Sequence, residues 1–205
     1  SSDVCSSDLN FSHGTHQSHK KIIEQIRNLN KDRQYPIAIM LDTQGPEIRT
    51  GDKEITLISG KRVCVTVPPN EESEGTLFVN YVDLKDDMKE GSCISLDGGL
   101  MSLKVCGKNK KGIECEVIDG GVVKAHRHVN LPGAIVKLPG ITETDKQDIL
   151  FGIEQKVDVI ALSFVRSSET IREVRASLGV HAKNIKLIAK IENQEGVERL
   201  KEIVQ

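Results

Sequence analysis

Residues 37–51 of this 205-residue chain read IAIMLDTQGPEIRTG. The apolar run at 37–41 stands between turn signals, which is typical of a strand buried on both faces of a parallel sheet. α/β folds place their functional side chains at the carboxyl ends of such strands. Here that end offers the carboxylate of Asp42, the hydroxyl of Thr43 and, a little further on, the guanidinium of Arg49. The set suits a cation and a phosphate bound side by side.

The composition excludes several classes of protein. A formal net charge of -2 provides no basic field for nucleic acid and no polybasic membrane anchor, and aromatic residues make up only 3% of the chain. The five cysteines form no C-x-x-C pair, as is usual for reduced thiols in a cytosolic protein. No apolar run approaches the roughly 18 residues of a membrane span, and no signal-peptide pattern opens the chain. We therefore expect a soluble, cytoplasmic protein that binds neither nucleic acid nor membranes.

The chain changes character twice along its length. Up to residue 46, apolar residues at helical spacing predict a helix ahead of the strand. Between 47 and 137, short β-like runs alternate with Gly and Asp turns and no convincing helix is found, which predicts a small antiparallel barrel or sandwich. The DGG triplets at 97–99 and 119–121 are predicted hairpin tips. From 138 onward helices and strands alternate again, so an α/β domain interrupted by an all-β insertion is the simplest interpretation.

The region after 138 contains two more apolar runs, which predict buried strands at 157–164 and 185–191. Helices are predicted after a capping box of Thr142 and Asp145, at 168–178 and at 195–204. In a parallel sheet or barrel the three predicted strands end on one face. Asp42-Thr43, Ser163-Phe164 and Lys190-Ile191-Glu192 should therefore converge, and the insertion leaves from that same face, as a lid would.

Lys190 and Glu192 are two residues apart and project to the same side of a strand. Together they suit a phosphoryl group, the Lys as a point charge and the Glu through a divalent ion. The alternative is a strand-end ion pair of little energetic worth. That alternative predicts that at least one of the two residues lies on an exposed face, whereas the run at 185–189 is apolar.

Asp42 and Thr43 also have a structural alternative, as turn residues ahead of a Gly-Pro pair. Asn10 and Ser12 strengthen the functional interpretation, because they too precede a predicted helix and add oxygen donors. Four such oxygens suit a weakly held monovalent or hard cation. For Arg49, phosphate binding and a solvated position after a turn both remain open.

Five histidines form two short patterns, namely His13, His16 and His19 at a spacing of three, and His126 and His128 on a predicted strand. Either pattern can be interpreted as a metal site. The first set drifts in direction over two helical turns and no fourth soft ligand lies nearby. Solvated histidines are the favoured interpretation.

Several segments in sequence order resemble the pyruvate kinase family, and the resemblance covers residues 9–205. These segments are 10–16, 41–51, 129–133, 138–142 and 189–196. The resemblance implies an α/β fold in which 9–46 and 138–205 form part of a (β/α)8 TIM barrel, the A domain. It further implies that 47–137 is an inserted all-β barrel, the mobile B domain, which acts as a lid.

The same resemblance implies phosphoryl transfer from phosphoenolpyruvate to ADP, giving pyruvate and ATP, with Mg²⁺ (or Mn²⁺) and usually K⁺, in a protein that is usually a homotetramer. Carried over to this sequence, the K⁺ ligands are Asn10, Ser12, Asp42 and Thr43. Glu192 would bind Mg²⁺ and Lys190 would stabilise the phosphoryl group in transfer. The expected nucleotide contacts are Arg49, His13 and Arg127, the last standing where many relatives have Lys.

The chain also departs from the family pattern. Segment 1–8 matches nothing in the family, and Asp8 stands where relatives have a phosphate-binding Arg, so an artefact joined to a partial gene is expected there. The second Mg²⁺ ligand and the proton-handling Thr of the family would lie beyond Gln205, and we expect this chain alone to show no turnover. Two other functions remain open: a Mg²⁺-dependent aldolase or lyase barrel, and a non-catalytic binding module formed by 47–137.

Overall fold

The structure, a computed structural model, describes residues 9–70 and 73–205. The expectations for segment 1–8, including the departure at Asp8, lie outside the described residues. The contacts divide the chain into two units. We call the described residues up to Pro46, together with Pro139–Gln205, the α/β unit, and Glu47–Leu138 the β unit.

The helices and strands are numbered in chain order. They are α1 (His16–Asn30), β1 (Met40–Asp42), β2 (Ile55–Leu57), β3 (Arg62–Thr66), β4 (Thr76–Phe78), α2 (Leu84–Asp87), β5 (Cys93–Leu96), β6 (Met101–Lys108), β7 (Gly112–Asp119), β8 (Gly121–Val123), β9 (Val129–Asn130), α3 (Glu143–Glu154), β10 (Val159–Leu162), α4 (Ser168–Leu178), β11 (Lys186–Ala189), α5 (Gln194–Glu198) and α6 (Leu200–Ile203). Short 3-10 turns lie at Asp97–Gly99 and Gly179–Lys183. None of the helices in this described part of the chain is long and apolar enough to cross a membrane.

A parallel sheet in the order β1-β10-β11 organises the α/β unit. The register pairs Asp42 with Ala161 and Leu162 with Ala189, so the three strands end at one edge. The central positions Leu41 and Ile160 are fully buried, because helices cover the sheet and exclude water from its apolar side chains. The predicted α/β class is confirmed.

The helices of this unit begin where the sequence provides caps. A capping box of Thr15 and Ser18 opens α1, and the predicted box of Thr142 and Asp145 opens α3. Helix α4 has the predicted bounds. The single helix predicted at 195–204 is wrong, since α5 and α6 are separate. Arg199 between them has φ -98° and ψ 11°, in the bridge region rather than the α-helical region.

Strand β11 is an edge strand of the sheet rather than a fully buried one. Within the described residues it has a neighbour on one side only, namely β10. Side chains alternate between the two faces of the strand, and the face that carries Lys186 and Ile188 is exposed, with Ile188 at 45%. The predicted buried strand at 185–191 is shorter, and the prediction of burial is wrong for the face of β11 that carries Lys186 and Ile188.

The β unit contains a six-stranded sheet in the order β4-β3-β7-β6-β5-β9 and a two-stranded sheet of β2 and β8. All pairs are antiparallel except β3 with β4. The turn at 97–99 connects the antiparallel strands β5 and β6, so the prediction of a hairpin tip there is confirmed. The triplet at 119–121 is not a hairpin tip, because β8 pairs with β2 and not with β7. Helix α2 was not predicted, since four residues are too few to show a helical period.

Candidate functional site

Asp42 and Lys190 meet where the parallel strands end. Nζ of Lys190 lies 2.8 Å from Oδ1 and 3.0 Å from Oδ2 of Asp42. The two residues belong to the ends of β1 and β11, which flank β10, so their side chains span the end of the central strand. Their side chains are 17% and 30% exposed. The predicted convergence of these two strand ends is confirmed.

Glu192 extends the same cluster of charges. Its Oε1 lies 3.8 Å from Nζ of Lys190, and its Oε2 accepts a hydrogen bond of 3.0 Å from the backbone N–H of Phe164. Phe164 has φ +56°, a left-handed conformation that a non-glycine residue adopts at a cost of about 1–3 kcal/mol. Such strain concentrates at functional sites. The backbone N–H that follows β10 therefore binds one carboxylate oxygen of Glu192, and the other oxygen faces Lys190.

The charges of this cluster do not cancel. Asp42 and Glu192 contribute two carboxylates against the single ammonium of Lys190, so the strand ends carry an excess of negative charge. Mg²⁺ usually binds one or two carboxylates and completes its shell with waters or substrate phosphates. Glu192 fits that pattern, because its side chain is 37% exposed. Among residues 9–70 and 73–205 there is no group of three or more His, Cys, Asp and Glu residues that suits a metal ion.

The segment Asn10–Ser12 runs beside the end of β1. Asn10 forms a parallel bridge with Asp42, and the N–H of Phe11 donates to the carbonyl of Asp42 at 2.9 Å. The N–H of Ser12 donates to Oδ1 of Asn10 at 2.8 Å, and this amide oxygen retains a second lone pair. The predicted K⁺ ligands Asn10 and Asp42 are thus neighbours. Their neutral and singly charged oxygens have the character that hard cations prefer.

Thr43, the fourth predicted K⁺ ligand, is buried and engaged by Ser163. The N–H of Ser163 donates to Oγ1 of Thr43 at 3.2 Å, and Oγ of Ser163 donates to the Thr43 carbonyl at 2.5 Å. Oγ of Ser163 also lies 3.5 Å from Oδ1 of Asp42. Each of the two Thr43 oxygens has a lone pair beyond the one that Ser163 uses, so both are candidate ligands.

The three histidines near α1 have different environments. His13 is exposed, as predicted, but its carbonyl accepts a hydrogen bond of 2.9 Å from Nε2 of His19. His19 is buried and its ring stacks on Phe11 with centroids 4.2 Å apart. The interpretation of His19 as solvated is therefore wrong. It lies on the apolar face of α1, where a ring that is stacked and hydrogen-bonded can be buried.

His16 joins α1 to α3. Its Nε2 lies 2.6 Å from Oδ1 of Asp148, and its ring stacks on Phe151 with centroids 4.4 Å apart. Burial raises the pKa of Asp148, although the hydrogen bond from His16 opposes that effect. This contact connects α1 to α3.

Arg49 lies in the β unit and its side chain is held by two acceptors. Nε donates to Oε2 of Glu47 at 2.5 Å, and Nη1 donates to the His126 carbonyl at 2.7 Å. Glu47 was not predicted as a partner of Arg49, because its one signal in the sequence is a carboxylate two residues before Arg49. The residue borders a cavity of about 390 Å³. The other lining residues are Thr50, Gly51, Asp52, Phe78, Asn80 and His126.

Arg127 occupies the segment beside Arg49 in the same unit. The N–H of Thr50 donates to the Arg127 carbonyl at 2.9 Å, and the N–H of Arg127 donates to Oγ1 of Thr50 at 2.8 Å. Nη1 of Arg127 lies 3.7 Å from Oδ1 of Asp97. Its Nε is buried without a hydrogen-bond partner among the described residues. The two predicted cationic contacts of the β unit therefore belong to adjacent backbone segments.

The amino-acid sequence of this chain is similar to those of known proteins. The family profile described as "Pyruvate kinase, barrel domain" matches residues 4–205, and its start lies inside segment 1–8. A pyruvate kinase of Clostridium perfringens is 43% identical over 202 residues, which cover 96% of this chain and 43% of the relative. Plastidial pyruvate kinase 2 of Arabidopsis thaliana is 40% identical over 199 residues, covering 96% and 34%. A pyruvate kinase of Homo sapiens is 42% identical over 212 residues, covering 96% and 37%. The chain thus spans less than half the length of these relatives.

Proposed function

The chain belongs to the pyruvate kinase family, and on that premise we propose that it contributes to phosphoryl transfer from phosphoenolpyruvate to ADP, giving pyruvate and ATP. The observation that carries the proposal is the ammonium of Lys190, 2.8 Å from Asp42 at the shared end of three parallel strands. The family match extends across both units, which disfavours a separate binding module formed by 47–137. The relatives described above are named pyruvate kinases, not lyases or aldolases.

Lys190 is the proposed catalytic residue. The transition state of phosphoryl transfer spreads negative charge over three equatorial oxygens and needs little covalent chemistry from the protein. A positioned ammonium stabilises that charge more in the transition state than in the ground state. Asp42 holds the ammonium in place, and Lys190 exchanges this contact for the transferred phosphoryl group when substrate binds.

Glu192 is the proposed protein ligand of Mg²⁺ or Mn²⁺. Its carboxylate oxygens are hard donors, and Phe164 fixes one of them through a backbone N–H. When bound, the divalent ion neutralises phosphate charge and orients the reacting oxygens. Oε1 of Glu192 lies 3.8 Å from Nζ of Lys190, and this proximity supports a metal ligand and a cationic group that act on the same substrate.

Asn10, Ser12, Asp42 and Thr43 are the proposed K⁺ ligands. The pairing of Asn10 with Asp42, and the packing of Thr43 against Ser163, support a cluster of oxygens on one strand end. A monovalent cation there would offset the excess of carboxylate charge beside Lys190.

Arg49, Arg127 and His13 are the proposed nucleotide contacts. Arg49 presents a planar guanidinium beside a cavity of about 390 Å³, and Arg127 lies on the neighbouring segment. His13 is exposed and follows Ser12 directly. The finer fold, with the α/β unit as part of a (β/α)8 barrel and the β unit as a closed β barrel, belongs to the same proposal, as do a homotetramer and a cytoplasmic location.

A chimera tests the proposed activity. Residues 9–205 replace the matched segment of the Clostridium perfringens pyruvate kinase, and pyruvate formation from phosphoenolpyruvate and ADP is followed in a coupled assay. We expect turnover that requires a divalent cation. A chimera that folds cooperatively by circular dichroism, binds phosphoenolpyruvate and yet forms no pyruvate would overturn the proposal.

A further inference from the structure

Asp145 is a fully buried carboxylate whose two oxygens serve different parts of the chain. Oδ2 accepts hydrogen bonds from N and Oγ1 of Thr142 at 2.8 and 2.7 Å, which completes the capping box of α3. Oδ1 accepts the N–H of Gly45 at 2.9 Å, although the two residues are 100 positions apart. A helix cap needs only the first of these links. The second connects α3 to the turn that follows β1.

That turn packs closely against the end of β10. Gly45 has φ +75°, and a Cβ atom there would lie 2.8 Å from the carbonyl oxygen of Ser163. On the same side, Ser163 hydrogen-bonds both oxygens of Thr43. The turn at 43–45 is therefore fixed by Ser163 from one direction and by Asp145 from another.

The same turn directly follows Asp42, whose carboxylate holds the ammonium of Lys190. We propose that Asp145 is a positioning residue for this site. Its hydrogen bond from the amide of Gly45 fixes the backbone of 43–45. Because this backbone directly follows Asp42, it determines the position of the Asp42 carboxylate and therefore of the Lys190 ammonium. The inference rests on the proposed function for its catalytic meaning, but the positioning itself can be measured without turnover.

The energetics favour such a role over simple capping. A buried carboxylate is costly unless hydrogen bonds satisfy it, and in the described part of the chain Asp145 forms no ion pair. Three donors and the amino-terminal end of α3 compensate its charge. A neutral capping residue would satisfy α3 but not Gly45.

Asp145→Asn separates the two links. The amide keeps the shape of the carboxylate but has one acceptor oxygen, which stays with the two donors of Thr142, so the Nδ2 group faces Gly45 and cannot accept its N–H. Thr142→Val is the first control, because it damages the cap and leaves the bond from Gly45 to Asp145. Asp148→Asn is the second control, because it neutralises another buried carboxylate of α3, one that binds His16 instead.

The readout is the acylation rate of Lys190 by an N-hydroxysuccinimide ester of acetic acid, measured by peptide mass spectrometry on the whole chain and normalised to exposed Lys186. Asp145→Asn should raise this ratio about fivefold, as expected when a partly exposed ion pair is lost. Thr142→Val and Asp148→Asn should leave it unchanged. An unchanged ratio in Asp145→Asn, or an equal rise in Thr142→Val, would overturn the inference.

Thallium(I), a probe for K⁺, distinguishes this inference from the proposed function. We expect thallium NMR titrations to show about tenfold weaker binding by Asp145→Asn than by the unaltered chain, and unchanged binding by Asp148→Asn. If the unaltered chain binds no Tl⁺, the proposed K⁺ site is wrong, while the acylation ratio still decides the role of Asp145. If the unaltered chain and Asp145→Asn bind Tl⁺ equally, the positioning role is wrong.

Discussion

Nζ of Lys190 lies 2.8 Å from Oδ1 of Asp42, although 148 positions separate the two residues in the sequence. Asp42 ends β1 and Lys190 directly follows β11, and these two strands are not hydrogen-bonded to each other, since β10 lies between them. The ion pair therefore bridges the sheet at its carboxyl end. Because both side chains are partly exposed, the pair contributes at most about 1 kcal/mol. A pair of that strength can yield its ammonium to a more highly charged phosphoryl group.

Removing the ammonium should abolish most of the catalytic benefit of this site. In the chimera, Lys190→Met should lower kcat by about 10²–10³-fold, the usual loss when one preorganised transition-state contact is removed. Lys186→Met is the matched control, because Lys186 is an exposed lysine at the start of β11, the strand that Lys190 follows. Coupled pyruvate assays measure both variants. Equal activity of the two would show that the role assigned to Lys190 is wrong.

Removing the carboxylate of Glu192 should weaken divalent ion binding. We expect Glu192→Gln to raise the dissociation constant for Mn²⁺ by about tenfold or more, followed by electron paramagnetic resonance of free Mn²⁺. Glu198→Gln serves as the control, since this exposed carboxylate lies on α5. If both variants bind Mn²⁺ as the unaltered chain does, Glu192 is not the metal ligand.

The tight packing of Gly45 can be separated from its backbone conformation. Gly45 and Gly60 have φ +75° and +76°, so alanine pays the same left-handed cost at both positions. Only at Gly45 would the new Cβ meet Ser163, at 2.8 Å, whereas nothing lies within 4 Å at Gly60. We expect Gly45→Ala to lower the free energy of unfolding by about 1–3 kcal/mol more than Gly60→Ala. Urea unfolding monitored by circular dichroism tests this, and equal losses would contradict it.

A buried tyrosine in the β unit should lose its proton only at high pH. Tyr81 donates a hydrogen bond to Asp87, and the N–H of Lys137 donates to the Tyr81 hydroxyl at 2.8 Å. Burial and the Asp87 contact raise the pKa of Tyr81 from 10.0 to about 12. A raised folded pKa means that the stabilisation is complete below pH 10 and is lost as the pH rises toward 12.

Tyr81→Phe should accordingly remove the ultraviolet titration near pH 12 and lower the free energy of unfolding at neutral pH by about 1–3 kcal/mol. Tyr35→Phe provides the control, because Tyr35 is 78% exposed and the chain has only two tyrosines. If the ultraviolet titration near pH 12 persists in Tyr81→Phe, the Tyr81 hydroxyl is not the group that titrates there.

Burial alone would raise the pKa of Asp87, but hydrogen bonds from Lys137 and Tyr81 outweigh it and leave the pKa below 3.8. Its stabilisation is therefore present above pH 3.8 and is lost as the pH falls through the lowered value. Acid unfolding followed by circular dichroism should show a smaller loss of stability in Asp87→Asn between neutral pH and acid than in the unaltered chain. An identical pH dependence would contradict this assignment.

Local patterns predicted the parts of the fold that depend on local physics. The capping box of Thr142 and Asp145 and the bounds of α4 follow from neighbouring residues, and the approach of Asp42 to Lys190 follows from the rule that parallel strands end together. The failures depend on distant neighbours. The exposure of Ile188 depends on what covers one face of β11, and the burial of His19 depends on the ring of Phe11.

Two further features had no usable signal in the sequence. Strands β8 and β9 have three and two residues, too few to show an alternating pattern, so the partner of β8 was not predicted. The bond from Gly45 to Asp145 spans 100 positions, and each residue has a sufficient local explanation, one as a turn and the other as a cap.

The outer side of β11 has a consequence for handling the protein in solution. In the described part of the chain its backbone donors and acceptors on that side have no neighbouring strand, and the Ile188 side chain nearby is 45% exposed. Such an edge acts as a template on which a foreign strand can extend the sheet. Residues 9–205 kept as a separate piece should therefore self-associate by strand addition at high concentration, and Ile188→Lys should act as a gatekeeper that opposes this association.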